Sequence, residues 1–316
     1  MRLPLKVVSI GNITMGGTGK TPFTIYLARL LSDYGIRCAI LSRGYRRRGG
    51  GAEPLVLTDG DNLRLTVDMA GDEPFLLAQR LPKIPIVLSR DRGEGGKLIE
   101  KLFNPEVIIL DDGFQQKKLR KDLDLLLIDG RNPFGNGWLT PAGALREPVS
   151  AIRKADGIII TRGEERQLPS VKERIAPFKR KETPIFRGRI KVEGVFPLGE
   201  KRGIPLQDIK GLPVIAFSGI GNPASFEETA SSLGLRLISH RRFRDHHWYR
   251  RSDISSLIAE AEKRGAKALL TTEKDAVKLR ETAPSNFPIF YLKIGMEIID
   301  EEEFLFFLLS RLGLRR

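Results

Sequence analysis

A glycine-rich segment near the start of the chain constrains the fold more than any other feature. It follows residues 7–10, an apolar and largely β-branched run that predicts a buried strand, and it precedes apolar residues at nearly helical spacing. Glycines let backbone N–H groups face a phosphate without a Cβ in the way, and the N-terminus of a helix adds partial positive charge. Strand, glycine-rich turn and helix together are typical of a phosphate-binding loop in an α/β protein.

This loop supplies a set of candidate nucleotide-binding residues. Lys20 would reach the β- and γ-phosphates of a nucleotide, and the Thr21 hydroxyl would ligate Mg²⁺. The usual motif begins with glycine where this chain has Thr14, so a plain glycine-rich turn with an exposed lysine is the alternative. The strand before the segment and the helix after it favour the phosphate loop. The predicted nucleotide-binding residues are Gly16, Gly17, Thr18, Gly19, Lys20 and Thr21.

Composition narrows the class of protein. The chain has 316 residues, of which 41% are hydrophobic, so we expect one very large domain or two ordinary ones. The single cysteine, Cys38, excludes an intramolecular disulfide, and we find neither a secretory signal nor an apolar run as long as a membrane span. The net charge of +14, with basic clusters at 46–48, 117–121 and 241–244, indicates an anionic partner. Nucleotide, nucleic acid, anionic membrane and phosphorylated substrate all satisfy that requirement.

Predicted strands and helices alternate through the first half of the chain. Strands are predicted at residues 37–41, 84–88, 107–110, 123–128 and 157–161, with a small hairpin at 54–57 and 63–67. This alternation predicts a parallel sheet covered by helices on both faces. Ligands collect at the carboxyl ends of such strands. The rule brings together the phosphate loop, residues 42–45, Asp91, Asp111 and Asp112.

The second half predicts another α/β unit. Residues 185–192 alternate like an exposed strand, and the proline-containing stretch 196–213 indicates a linker. Further strands are predicted at 214–217, 269–272 and 289–292. The very apolar final helix, at 304–314, is predicted either to dock against the core or to lie on a membrane surface.

Three acidic residues, at the ends of two predicted strands, are candidates for chemistry. Asp111 and Asp112 end an apolar run, which after a phosphate loop predicts the Mg²⁺-holding motif of a P-loop enzyme; an Asp-Asp-Gly turn is the alternative. Asp91 follows another strand between Arg90 and Arg92, which we expect to lower the pKa of its carboxyl group. Asp91 is then either a salt-bridged surface residue or a base that takes a proton from a hydroxyl nucleophile.

The histidines and two weaker patterns lie in the second half. His246 and His247 stand among arginines and aromatic residues, which suggests an anionic or sugar-like ligand. Residues 219–224 match the loose dinucleotide pattern G-x-G-x-x-A, although a structural turn fits them better. Residues 272–275 are similar to a guanine-reading motif with its lysine displaced by one position, so we favour ATP over GTP.

Taken in order, these motifs resemble the tetraacyldisaccharide 4'-kinase family, the lipid A 4'-kinases of outer-membrane biogenesis. The resemblance covers nearly the whole chain, and Thr14 is itself typical of the family. The matching segments are residues 11–14, 16–22, 42–45, 70–74, 91–92, 111–115, 141–143, 145–148, 217–220, 245–246 and 272–275.

The resemblance implies a fold and a reaction. Family members transfer the γ-phosphoryl group of ATP to the 4'-hydroxyl of tetraacyldisaccharide 1-phosphate, which forms lipid IVA in lipid A biosynthesis. The implied fold class is α/β, with two α/β/α sandwich domains joined by a two-stranded linker, the first with a P-loop NTPase-like parallel sheet. We therefore expect a P-loop kinase domain over residues 1–184. Residues 185–316 would hold a linker strand and a C-terminal α/β domain, with the second linker strand near 289–293.

The resemblance also implies roles for individual residues. Asp91 matches the catalytic base of the family, and His246 matches its partner from the second domain. Asp112 and Glu147 match carboxylates near Mg²⁺, where Thr21 is the third expected ligand. The residues expected to bind substrate or to support the site are Arg43, Asp111, Gln115 and Arg146.

The expected partners are ATP, Mg²⁺ and the lipid disaccharide, without nucleic acid. The chain departs from the family at Gln116, where a histidine is usual, and it starts on the first strand without the usual apolar N-terminal helix. Either the start is truncated, or contact with the membrane rests on the basic surface and the final helix. We expect a monomer attached peripherally to the cytoplasmic face of the inner membrane.

Other classes of protein stay open at this point. One is a different P-loop enzyme of the same architecture, such as an ATP-dependent ligase or a metallochaperone GTPase. Another is a nucleic-acid-binding ATPase, which the charge favours and the low aromatic content of 7% disfavours. A nucleotide-sensing scaffold without turnover is the third, and it would lose nothing when Asp91 is changed.

Overall fold

The computed structural model describes residues 1–44, 53–279 and 287–314 of the chain. They form two compact units, the first made of Met1–Ile190 with Met296–Arg316 and the second of Lys191–Gly295. The basic cluster at 46–48 lies outside the described residues. The domain boundary between residues 184 and 185 stays a prediction, because compactness does not show which segment folds alone.

The regular elements alternate along the chain. The strands are β1 (Lys6–Gly11), β2 (Cys38–Ser42), β3 (Leu55–Thr58), β4 (Ile86–Leu88), β5 (Val107–Leu110), β6 (Leu123–Asp129), β7 (Gly157–Thr161), β8 (Ile185–Pro197), β9 (Pro213–Ser218), β10 (Arg236–Arg242), β11 (Ala268–Thr272) and β12 (Ile289–Ile298). The helices are α1 (Lys20–Asp33), α2 (Val67–Ala70), α3 (Asp72–Arg80), α4 (Arg92–Phe103), α5 (Leu168–Ile175), α6 (Leu206–Ile209), α7 (Pro223–Ser232), α8 (Arg251–Arg264), α9 (Glu273–Ala276) and α10 (Glu301–Leu312). Short 3₁₀ segments lie at Val149–Lys154, Glu165–Gln167 and Ala176–Phe178.

The first unit is built on a parallel sheet. Its strand order is β8-β7-β6-β1-β5-β2-β4-β3, and each neighbouring pair is parallel except β3 with β4. Strands β2 and β5 are buried along their whole length, as expected for a sheet covered on both faces. Because β1, β5, β2 and β4 are consecutive neighbours, the segments that follow them meet at one edge. The described residues of the predicted neighbourhood of strand ends therefore lie at one edge, and Tyr45 lies outside the described residues.

Helix α4 lies unusually close to this sheet. A Cβ on Gly95 would stand 2.6 Å from Leu41 Cδ1 and 2.7 Å from Ser89 Cβ, and one on Gly96 would stand 2.4 Å from Leu3 Cδ1. Gly95 therefore allows the helix to approach the sheet, and Gly96 allows it to approach Leu3, which precedes β1. The distance matters for the site, because α4 begins directly after Asp91.

The second unit has its own parallel sheet, in the order β10-β9-β11-β12. Alternate residues of β9 face opposite cores, Val214 with Phe226 of α7 on one side and Phe217 with Leu257 of α8 on the other. Strands β8 and β12 each begin in one unit and end in the other, as the expected two-stranded linker requires. The predicted α/β fold class is confirmed.

Helix α10 docks against the core of the first unit. Its Phe304 is fully buried, with ring centroids 6.0 Å from Phe23 and 5.1 Å from Phe186. Phe306 on the same helix is 75% exposed. Within the described part of the chain, no helix combines the length and apolar character needed to cross a bilayer.

Three expectations about local structure were wrong or incomplete. Residues 63–67 do not form a full hairpin strand: Leu63 makes one antiparallel bridge to Thr58 and the Arg64 N–H donates to the Leu57 carbonyl (2.8 Å), whereas β3 pairs along its length with β4. The stretch 196–213 is not a free linker, since Ile209 is buried in the core of the second unit. Strand β10 was missed because its sequence is strongly basic and lacks a continuous apolar run.

The glycine at position 95 gives a test of the close helix–sheet approach. Helix propensity alone would make Gly95→Ala stabilising by about 1 kcal/mol, whereas overpacking a core costs about 1–3 kcal/mol. Ser89 Cβ is attached directly to the backbone and cannot move aside, so we expect a net loss in the free energy of unfolding. Urea unfolding followed by circular dichroism measures it, with Lys101→Ala on the exposed face of α4 as the neutral control. A Gly95→Ala variant more stable than wild type would contradict this packing.

Candidate active site

The glycine-rich loop connects β1 to α1. Gly16 and Gly19 have positive φ angles of 103° and 88°, a region that residues with a Cβ rarely adopt. A Cβ on Gly19 would also lie 2.9 Å from Met296 Cε. Gly19 caps α1 without any side-chain hydrogen bond to the first turn, so the helix dipole faces the loop. Gly16 and Gly17 are exposed, whereas Thr18 is buried and its carbonyl accepts a hydrogen bond from the Thr161 hydroxyl (2.7 Å).

The acidic turn after β5 is locked against the start of this loop. A Cβ on Gly11 would stand 2.4 Å from Phe114 Cβ, and the Gly113 N–H donates to the Ile10 carbonyl (2.8 Å). Asp112 itself has a positive φ angle of 51°. The close approach at Gly11 and Phe114 therefore holds the Asp112 carboxylate beside the loop.

A third segment, residues 144–147, joins the loop from the other side. The Met15 N–H donates to the Ala144 carbonyl (2.6 Å), and the Arg146 N–H donates to the Ile13 carbonyl (2.7 Å). These two hydrogen bonds place Arg146 and Glu147 beside the glycine-rich loop, although they lie more than a hundred residues away in the sequence.

Four polar side chains from these segments form one network. Arg146 holds Asp112 through two hydrogen bonds, of 2.8 and 3.1 Å. Lys20 Nζ lies 3.7 Å from Asp112 Oδ1 and donates to Asn12 Oδ1 (3.1 Å), which also accepts from Arg146 (3.1 Å). Burial would raise the pKa of the Asp112 carboxyl, but Lys20 and Arg146 outweigh it and hold that pKa below its usual value. Asp112 is therefore ionised at neutral pH.

Asp111 has the opposite environment. Its side chain points into the core, where the Ser42 hydroxyl donates to it (3.0 Å). Burial, with the nearby charges of Glu73 and Asp112, raises the pKa of Asp111 to about 6. The two adjacent carboxylates thus lie in different environments: Asp111 is buried in the core, and Asp112 lies beside the glycine-rich loop.

Glu147 and Gln115 present oxygen atoms that could contribute to a metal site. Glu147 Oε2 binds Lys154 (2.5 Å), while Glu147 Oε1 and Gln115 Oε1 are buried without a hydrogen-bond partner among the described residues. Both residues line a cavity of about 520 Å³, with Arg146, Lys117 and Lys154 in its wall. Carboxylate and amide oxygens suit Mg²⁺, which usually keeps several waters and needs few protein ligands. The described residues hold no group of three or more His, Cys, Asp or Glu side chains placed around one metal.

Asp91 caps α4 at the same edge of the sheet. Its Oδ1 accepts hydrogen bonds from the backbone N–H groups of Gly93 (2.8 Å) and Glu94 (3.2 Å). These bonds, together with the charges of Lys118 and Lys97, lower the pKa of its exposed carboxyl. The expected direction is correct, but the expected cause is wrong, because neighbouring Arg92 is buried and binds the Leu41 and Asp111 carbonyls (3.1 and 2.8 Å).

Arg43 and Gln116 are two further residues of the first unit that the sequence singled out. Arg43 is exposed immediately after β2, at the same edge of the sheet. Gln116, which stands where the family has histidine, accepts a hydrogen bond from the Lys118 N–H (3.0 Å). Its side chain therefore closes its own turn.

The second unit contains His246. Its backbone has a positive φ angle of 61°, and its N–H donates to the Gly219 carbonyl (3.0 Å). The imidazole Nε2 lies 3.4 Å from Lys274 Nζ and 3.7 Å from Asp245 Oδ2. His247 instead pairs with Asp253 (3.1 Å) and stacks on the Phe243 ring. The structure thus places the predicted site residues of the loop, the acidic turn and α4 in the first unit and His246 in the second.

Sequence reasoning missed Asn12, although it joins the network at its centre. Its side chain accepts from both Lys20 and Arg146, and its carbonyl accepts from Gln115 (2.8 Å). Two signals pointed to it: Asn12 directly follows a strand that leads into the glycine-rich loop, and it lies in the segment 11–14 that matches the family.

Comparisons with known proteins agree on one family. The profile of the family described as "Tetraacyldisaccharide-1-P 4'-kinase" matches residues 1–313. The tetraacyldisaccharide 4'-kinase of Desulfatibacillum aliphaticivorans is 38% identical, covering 98% of this chain and 84% of the relative. That of Halothermothrix orenii is 40% identical, covering 86% of this chain and 74% of the relative. The crystal structure of LpxK from Aquifex aeolicus, described as an "apo" form in complex with ATP, superposes with a TM-score of 0.75 at 34% identity, covering 99% of this chain and 90% of that one.

The buried Asp111 carboxyl predicts a pH dependence of stability. Because its pKa is higher in the folded protein than in an unfolded chain, the folded state binds the proton more tightly, and stability falls as the pH rises from about 4 to about 6. A shift of two units corresponds to roughly 3 kcal/mol. Asp111→Asn, whose amide oxygen can still accept from Ser42, should be more stable than wild type at pH 7 and lose that advantage near pH 4. Calorimetric melting across this range tests it, with exposed Asp33→Asn as the control; a difference independent of pH would refute it.

Proposed function

This chain belongs to the tetraacyldisaccharide 4'-kinase family, and we propose that it transfers the γ-phosphoryl group of ATP to the 4'-hydroxyl of a tetraacyldisaccharide 1-phosphate. The enzyme is a phosphotransferase of lipid A biosynthesis that uses ATP and Mg²⁺. The observation that carries the proposal is the network of Lys20, Asn12, Asp112 and Arg146 at the glycine-rich loop. A different P-loop ATPase or ligase is not favoured by the comparisons.

We propose that the loop holds the phosphates of ATP. The backbone N–H groups of residues 16–21 face the nucleotide, and Lys20 moves its ammonium from Asn12 to the β- and γ-phosphates. Asp112 stays in place during that movement because Arg146 holds both of its oxygens. The residues that would hold Mg²⁺ are Thr21, Asp112 and Glu147, and Gln115 would support them. Mg²⁺, when bound, neutralises charge on the transferring group.

We propose that Asp91 and His246 are the residues that prepare the acceptor hydroxyl for reaction. In phosphoryl transfer the transition state is loose, so the nucleophile needs orientation more than early deprotonation. A carboxylate with a lowered pKa, such as Asp91, is suited to accept a hydrogen bond from the hydroxyl and to orient it. The proton released from the 4'-oxygen would pass to the Asp91 carboxylate as the new oxygen–phosphorus bond forms and the bond between the γ-phosphorus and the leaving oxygen of ADP breaks. Arg43, Asp111 and Arg146 are proposed as substrate-binding or supporting residues.

The segment similar to a guanine-reading motif does not present its aspartate to a base. Asp275 is fully buried, and its carboxylate binds the Gly219 N–H and the Thr272 hydroxyl. This occupation of the carboxylate supports ATP as the nucleotide.

A Ser–His–Glu arrangement in the second unit is not a second active site. Ser218 Oγ lies 2.9 Å from His240 Nε2, and His240 Nδ1 binds Glu227. The order of groups is that of a hydrolytic triad. However, Ser218 is completely buried, so its hydroxyl cannot reach a substrate. The arrangement satisfies the polar atoms of a buried histidine between β9, β10 and α7.

The test of the reaction is direct phosphoryl transfer. We expect the full chain, incubated with Mg-ATP and the disaccharide 1-phosphate in detergent, to add the mass of one phosphate at the 4'-oxygen. Asp91→Ala and His246→Ala should each lower kcat by at least ~10²-fold, the scale of general-base removal, while the Kd for ATP is nearly kept. Asp33→Ala, which changes an exposed carboxylate away from the site, is the control. ATP binding without transfer would reject the reaction, and near-normal turnover of Asp91→Ala would reject only the proposed role of that residue.

We also propose that the protein works as a monomer attached peripherally to the cytoplasmic face of the inner membrane. The net charge of +14, the exposed Phe306 and the lipid nature of the family's substrate support this proposal. Residues 1–184 and 185–316 remain the proposed domains.

Peripheral attachment through charge predicts a dependence on salt. The screening length falls from roughly 10 Å at 0.1 M salt to about 3 Å at 1 M, so binding to anionic vesicles should weaken over that range. Flotation with vesicles rich in anionic phospholipid measures it, and vesicles of neutral phospholipid alone are the control. Binding that is equal at both salt concentrations would argue against electrostatic attachment.

A further inference from the structure

A buried ion pair lies beneath the turn that carries His246. Lys278 Nζ stands 2.9 Å from Asp275 Oδ1, and both side chains are fully buried. Removing two charges from water is costly, and apolar residues of similar volume often stabilise a core as well as such a pair does. Stability alone therefore does not explain why these two charges are here.

The carboxylate of this pair contacts the turn directly. Asp275 Oδ2 accepts a hydrogen bond from the Gly219 N–H (3.0 Å) and another from the Thr272 hydroxyl (2.7 Å). The carbonyl of Gly219 in turn accepts from the His246 N–H (3.0 Å). One residue, Gly219, thus separates the buried carboxylate from the backbone of His246.

The conformation of His246 needs such support. Its φ angle of 61° lies in the left-handed region, which is unfavourable for a residue with a side chain. Strained positions of this kind persist only where the surrounding structure holds them. The space is tight as well, since a Cβ on Gly219 would lie 3.1 Å from both the Arg244 carbonyl oxygen and His247 Cβ.

Helix α9 also reaches the imidazole of His246. Lys274 Nζ lies 3.4 Å from His246 Nε2 and 3.4 Å from Asp245 Oδ1. An ammonium group only donates hydrogen bonds, so the ring nitrogen that faces it is the acceptor. Two neighbouring residues of α9 therefore hold His246. Asp275 acts on its backbone through Gly219, and Lys274 contacts its imidazole ring.

We propose that Asp275, fixed by Lys278, is a positioning residue that sets the backbone of His246 for phosphoryl transfer. The inference rests on the function proposed above for His246 and extends it to a buried pair outside the reacting groups. The Asp275 carboxylate supplies the oxygen that accepts the hydrogen bond from the Gly219 N–H, and Lys278 holds that carboxylate in position.

Two paired substitutions separate the oxygen from the charge. Asp275→Asn with Lys278→Gln removes both charges but keeps an oxygen for Gly219 and a hydrogen-bonded partner for the amide. Asp275→Leu with Lys278→Met removes the charges and the oxygen at similar volume. We expect the first pair to retain turnover within about threefold and the second to lose about 10- to 100-fold in kcat, the scale of misplacing a reacting group. The KM for Mg-ATP should stay within about twofold of wild type in both, because the nucleotide loop belongs to the first unit.

A destabilised control and a double-mutant cycle exclude a purely structural effect. Leu235→Ala removes a buried side chain from another part of the second unit, and its kcat should match wild type at temperatures where it is folded. In a His246→Ala background the apolar pair should cost no further turnover, because the residue that it positions is already gone. An equal loss in both backgrounds, or full turnover of the apolar pair, would overturn the proposal.

Histidine resonances give a readout independent of activity. The chain has three histidines, so selectively labelled imidazole signals can be assigned by substitution. The apolar pair should shift the His246 signal and leave the His240 signal in place; an unshifted His246 signal would contradict positioning. If His246→Ala kept full turnover, the catalytic role of His246 would fall, while this measurement would still decide whether Asp275 sets its position.

Discussion

The two hydrogen bonds between Arg146 and Asp112 are the interaction on which the site depends. They connect the acidic turn after β5 with the segment 144–147, and Asn12 adds the start of the phosphate loop. Bidentate, charge-assisted bonds of this kind fix geometry as well as contributing energy. They also leave Lys20 in contact with Asn12 and near Asp112, where its charge balances that of the carboxylate. Three parts of the chain that are distant in sequence, namely the glycine-rich loop, the acidic turn after β5 and residues 144–147, are thereby held together.

The adjacent carboxylates of Asp111 and Asp112 differ in pKa because their environments differ. Asp112 faces Lys20 and Arg146, which keep it charged at the loop. Asp111 turns inward to Ser42, where burial favours its protonated form. Asp91, two strands away, is kept ionised chiefly by the first backbone N–H groups of α4. The close packing of Gly95 against β2 and Ser89 sets the position of that helix, and hence of Asp91.

Much of this architecture could be predicted from local sequence, and the exceptions have physical causes. Residues 7–10 and 107–110 are short apolar runs that only a buried strand satisfies, and both were placed correctly. Residues 63–67 carry a similar local signal, but only Leu63 bridges to Thr58 while β3 pairs along its length with β4, a difference that tertiary contacts decide. In the candidate site, the spacing of the glycine-rich motif was enough to predict Lys20 and Thr21. Asn12 and Arg92 could not be found that way, because their roles arise from contacts with Arg146 and with two strand-end carbonyls far along the chain.

The central claim is that the network around Asp112 receives Mg-ATP. The most direct measurement is a crystal structure of the full chain with Mg²⁺ and a non-hydrolysable ATP analogue. We predict the β- and γ-phosphates against the backbone N–H groups of residues 16–21, Lys20 Nζ withdrawn from Asn12 onto the phosphate oxygens, and Arg146 still bound to Asp112. Nucleotide at the glycine turn of residues 219–221 instead, or an Arg146–Asp112 pair broken by binding, would contradict the account.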